Sequence, residues 1–148
     1  MMWKLDPAAF DINRRDGRLD PPFWYWPDYR YRVEAEDPRC DTISVLDPAR
    51  FRFVDYGPSA RYLPLGGRAL RTLWLHRREI PETFWEQARS RGMERIGFEQ
   101  VHFTGMKVFN PHGVLCWFYL RRWRGGCYWG ITPDAYHWGR FPAILYEP

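Results

Sequence analysis

Residues 29–36 alternate strictly, placing Tyr29, Tyr31, Val33 and Ala35 on one side and charged residues on the other, which is the period of a strand with one wet face. Shorter strand patterns follow at 42–46 and 51–56, parted by Asp47-Pro48, and Gly57-Pro58 and Gly66-Gly67 punctuate a loop. Over 69–76, Leu70, Thr72, Trp74 and His76 fall on one side with Leu73 and Leu75 opposite, which reads as another strand. The period then changes. Residues 81–91 open with Pro81, carry Glu82 and Glu86 early and Arg89 and Arg91 late, and stop before Gly92, the charge order a helix dipole favours. Ile80, Phe84, Trp85 and Ala88 make its apolar stripe, suited to lying on a sheet.

Strand patterns return at 98–103, 106–109 and 114–123, with Asn110-Pro111-His112-Gly113 as a hairpin turn and 127–131 as a fourth strand. The run 114–120 is apolar on both sides, so it is expected to be the central strand, covered on both faces, with the charged strand at 29–36 nearer an edge. The architecture that follows is α+β: a single, mainly antiparallel sheet with one main helix packed on one face.

A chain of 148 residues fits one domain over 1–148, able to bury roughly two-thirds of its unfolded surface. Residues 1–28, rich in proline and aromatics, are expected to pack on or beside the sheet. Leu5-Asp6-Pro7-Ala8-Ala9-Phe10 recurs as Leu46-Asp47-Pro48-Ala49-Arg50-Phe51; the flanks differ, so this is a reused turn chemistry and not a structural repeat.

Composition narrows the class. The chain is 45% hydrophobic and 19% aromatic, which excludes disorder by low hydrophobicity. Its longest apolar run falls far short of the ~20 residues of a membrane-spanning helix, so no membrane partner is expected. The net charge of +4 arises wholly between residues 101 and 146, too small an excess for the domain-wide basic face of a nucleic-acid binder. All but Lys4 and Lys107 of the 22 basic residues are arginine, the side chain suited to bidentate pairing and to stacking on rings. Three cysteines are an odd and sparse set, and Asp6 and Pro7 interrupt the start of the chain where a secretion leader needs an apolar core; the expected setting is reducing and cytoplasmic.

No catalytic set emerges. Cys116 follows His112 by four residues but sits in the apolar run, Cys127 has no evident base, and Cys40 lies beside Asp37 and Asp41, whose charge opposes a thiolate. The histidines lack metal-ligand spacing, and neither a metal nor another cofactor is expected. Glu34 and Glu36 sit about 6–7 Å apart along a strand, yet Arg30 and Arg32 interleave with them, which reads as an ion-pair ladder.

Two aromatic stretches remain. Phe23, Trp24, Tyr25 and Trp26 stand between prolines in an extended segment whose rings cannot all share one face. Arg121, Arg122, Trp123 and Arg124, with Tyr128 and Trp129 beyond Gly125-Gly126, combine guanidinium groups with stacking rings. Together they are expected to form the contact surface of a non-enzymatic domain that recognises a protein partner or a second copy of itself, as a dimer. The first alternative is a small-ligand pocket or small enzyme lined by aromatics, with His102, His112, Glu99 and Tyr119 as its polar groups. The second is single-stranded nucleic-acid binding by the arginine and tryptophan run.

Overall fold

A computed structural model describes residues 2–5, 30–54, 61–89, 97–134 and 141–148. The strands are β1 (Trp3–Lys4), β2 (Arg32–Val33), β3 (Val45–Leu46), β4 (Phe51–Val54), β5 (Leu63–Pro64), β6 (Phe98–Phe109), β7 (Leu115–Trp123), β8 (Gly126–Pro133) and β9 (Ala143–Tyr146); the helices are α1 (Gly67–Leu75) and α2 (Glu82–Ala88). A seven-stranded sheet has the path β4-β9-β6-β7-β8, with β2 paired to β6 and β5 to β9. All pairings are antiparallel except β6 with β9. The fold is α+β, and both helices lie on the sheet.

The stretch 69–76 forms a helix and not the strand its alternation suggests. Leu70, Leu73 and Trp74 at i, i+3 and i+4 are all buried, along with Ala69, so the 3.6 period outweighs the shorter one. Its residues are also mostly strong helix formers. The carboxylate of Glu36 accepts from the Arg68 backbone N–H at 2.8 Å, filling one of the donors a helix start leaves open. The same carboxylate holds the Arg68 guanidinium, while Glu34 pairs with Arg32 at 3.3 Å. The two carboxylates therefore part company.

Helix α2 falls within the expected 81–91. Its Phe84 packs edge-on against Phe51 and Phe53. At Asp47 the reused turn motif caps a 3-10 turn through its side chain, whereas the first copy, from Asp6, lies outside the described residues, as does most of 1–28.

The expected strands at 98–103 and 106–109 are one strand, with a register shift between Phe103 and Val108. Gly105 sits inside the shift: its N–H donates to Leu65 O, and its carbonyl accepts from Asp37 N. A Cβ there would strike the backbone of Pro64. β7 is interior but not central, since β6 occupies that place. Within the alternating stretch at 29–36, Arg32–Val33 forms a strand against β6 with Tyr31 turned inward, and Tyr29 lies outside the described residues. β9, fully buried, had no counterpart in the sequence reading.

Candidate functional site

The strands β6, β7 and β8 are joined by direct pairs, so opposed residues share a face. On the first face, Glu99 faces Arg122, Val101 faces Leu120 and Phe103 faces Phe118 across β6 and β7; Arg122 also faces Cys127, and Leu120 faces Trp129, across β7 and β8. This is the helix-covered side. Trp129 is 3% exposed and packs against Phe118, so it is core and not a contact residue. Arg122 donates to Glu82 and to Glu99, Glu99 also accepts from Arg89 at 3.0 Å, and the Arg122 guanidinium lies over Trp85. Its hydrogen bonds to both carboxylates push the Arg122 pKa up. It is spoken for.

The second face carries the rows Phe98–Trp123–Gly126, Gln100–Arg121–Tyr128 and His102–Tyr119–Gly130. Two tyrosine rings lie where glycines leave room: a Cβ on Gly130 would sit 2.5 Å from the Tyr119 hydroxyl, and one on Gly126 2.8 Å from that of Tyr128. Gln100 and His102 are 2% and 0% exposed. Arg121 Nε donates to Gln100 Oε1 at 2.7 Å, and Gln100 Nε2 lies 2.8 Å from His102 Nε2. Arginine only donates, so the Gln100 oxygen must accept; its amide nitrogen then donates, and His102 Nε2 must accept. The donor–acceptor order fixes His102 as the neutral tautomer protonated on Nδ1. The Arg121 guanidinium carbon lies 4.2 Å from the Phe98 ring and 5.0 Å from that of Tyr119.

At the end of this face, the β7–β8 hairpin turns on Arg124 (φ 51°) and Gly125 (φ 74°). Two successive left-handed residues make a type I′ turn, a geometry natural to glycine and strained for arginine. Trp123 and Tyr128 are 39% and 38% exposed, their ring centroids 6.5 Å apart, with Arg124 lying 4.7 Å over Trp123.

The expected sites are thus redistributed. Of the contact set, Trp123, Arg124 and Tyr128 share the hairpin end and Arg121 stands beside them. Arg122 and Trp129 belong to the covered face, because strand neighbours point oppositely. Phe23, Trp24, Tyr25 and Trp26 lie outside the described residues. The four pocket residues do not assemble: His102 and Tyr119 are cross-strand partners, Glu99 is on the opposite face, and His112 is in the exposed 110–113 turn. His102 faces Tyr119 and not His112. Gln100, which sequence reasoning passed over, links the cluster; its register opposite Arg121 was the available signal.

The cysteines are all free. Burial pushes Cys40 up to about 12, with Glu36 and Asp37 adding to the effect, and pushes Cys127 up to about 12 against the nearby Arg77. Burial raises Cys116 as well. A thiolate nucleophile is disfavoured at all three. Among the described residues, no three His, Cys, Asp or Glu side chains form a metal-binding group, and no helix is long and apolar enough to cross a membrane. Comparison with protein-family models, with curated proteins and with solved structures found no match for this chain.

Proposed function

We propose that this chain is a binding domain that recognises a protein partner through the β7–β8 hairpin end, with Trp123, Tyr128 and Arg124 as the contact residues. The observation that carries this reading is the exposed Trp123–Tyr128 pair beneath a stacked arginine. Trp, Tyr and Arg are the residue types that most often dominate interface energies. Backbone strain at Arg124 supports the same reading, since strained positions cluster at functional sites.

A self-associating chain would use the same surface, and light scattering across a concentration series separates that case from a foreign partner. In cross-linking and co-purification from the native host, a Trp123→Ser/Tyr128→Ser variant with unchanged circular dichroism is expected to lose the wild-type association. Retention of every association by this folded variant would overturn the reading. The ligand-site alternative is favoured by one observation, the hydrogen-bonded row from Arg121 to His102.

A further inference from the structure

Residues 114–133 hold Arg121, Arg122 and Arg124 and no acidic residue. Glu82 and Glu99 reach Arg122, from the covered side of the sheet. Among the described residues neither Arg121 nor Arg124 forms an ion pair. Arg121 lies 4.2 Å from the Phe98 ring and Arg124 lies 4.7 Å from that of Trp123, and these two rings belong to residues directly opposed across β6 and β7. Tyr128 faces Arg121 from β8, with its ring 6.5 Å from that of Trp123. Register and ring distances thus bring two cations and two exposed rings to one end of one face. Asp134, just past β8, is at the other end: it accepts from Trp117 Nε1, and Trp117 stands about 20 Å from Trp123 by strand rise.

Resting on the hairpin reading above, we infer that the segment recognised there is an acidic stretch of a partner protein, which sets Asp or Glu carboxylates against Arg124 and Arg121 and an apolar side chain against Trp123 and Tyr128. A guanidinium stacked on a ring keeps the N–H donors of its edge for a carboxylate, and such charge-assisted bonds are the strong ones. Burial lowers the Arg121 pKa and no carboxylate offsets it; the partner supplies the counter-charge. A polyanion suits the face less well. Beyond the two arginines it continues into Gln100, His102 and Tyr119, without the basic track a nucleic-acid strand follows. A second copy meeting this face through its own equivalent would set arginine against arginine.

A synthetic peptide array tests the inference: peptides in which Asp and Glu flank one Leu, Phe or Pro, each beside a counterpart carrying Asn and Gln instead. The wild type is expected to bind a subset of the acidic peptides and to bind their amide counterparts about fivefold more weakly, the size of two exposed charge pairs, with the difference shrinking as salt rises. Arg121→Gln/Arg124→Gln should erase that preference, and Lys107→Gln, which removes an exposed charge elsewhere on β6, should leave it unchanged. Should the double variant fail to fold by circular dichroism, Arg124→Gln alone decides, and an undiminished preference there overturns the inference. Equal binding of acidic and amide peptides, tighter binding of oligo-dT than of any acidic peptide, or an equal loss with Lys107→Gln overturns it too. If the Trp123→Ser/Tyr128→Ser variant still loses its host association in those cases, the hairpin reading survives and only the acidic partner is struck; if that variant keeps every association, both fall.

Discussion

The two faces of the β6–β7–β8 sheet are built from alternate residues of the same strands and treat arginine in opposite ways. On the covered face, Arg122 is bound by Glu82 and Glu99 over Trp85. On the other, Arg121 is set between rings and a neutral amide. Glu99 and Gln100 are the neighbours that make the difference: one carries a charge to its arginine and the other does not. The comparison separates a face where arginine is held by charge from one where it is held by rings and a neutral amide.

The sharpest way to break this contrast is to truncate one residue from each face. Phe118→Ala, at a fully buried position, should cost about 3–5 kcal/mol in urea denaturation. Tyr119→Phe on the opposite face should cost less than about 1 kcal/mol, because it deletes a hydroxyl with no described partner and keeps the ring. Equal losses would show that both faces carry structural load.

Next in size is the arginine pair itself. Arg122→Gln leaves Glu99 with Arg89 as its remaining cationic partner and should cost about 2 kcal/mol, between the values for exposed and buried ion pairs. Arg121→Gln should cost about 1–2 kcal/mol, since among the described residues it gives up two ring contacts and the donor to the buried Gln100 Oε1.

A pH series sharpens the same point. Burial raises the Glu99 pKa, but hydrogen bonds from Arg122 and Arg89 outweigh it, and the net pKa is lowered. A carboxylate with a depressed folded-state pKa contributes stability that is fully present above its unfolded value, about 4.3, and is lost as pH falls through the lower folded value. The stability of Glu99→Gln should therefore fall less steeply than that of the wild type over that acid range. Parallel acid limbs would remove Glu99 from the account.

The smallest effect is expected at the hairpin. Arg124→Asn places a residue tolerant of positive φ before Gly125 and should add about 0.5 kcal/mol in urea denaturation. The same change should weaken any association made through Trp123, because it removes the guanidinium that lies over that ring.

Much of the fold is legible in the period of the chain, and its exceptions have identifiable causes. The helix at 81–91 is readable because charge order, proline and apolar stripe agree, whereas 69–76 satisfies two periods at once and only burial against the sheet decides between them. β9 is a four-residue apolar run whose pairing partners lie far off in sequence, which no local pattern records. The proposed site was half visible: the run from Arg121 to Trp129 covers the hairpin on which it is placed. Treating Arg121 and Arg122 as a unit ignored the strand alternation that sends them to opposite faces, and Gln100 gained its importance only from register.

The close approach at Gly105 also bears on how the chain assembles. The backbone N–H groups of Glu34 and Asp37 donate to the carbonyls of Lys107 and Gly105, while the Gly105 N–H itself reaches back to the Leu65 carbonyl. During synthesis those earlier stretches emerge long before the strand that completes them, so this seam closes late and through wide loops, the condition that slows folding most.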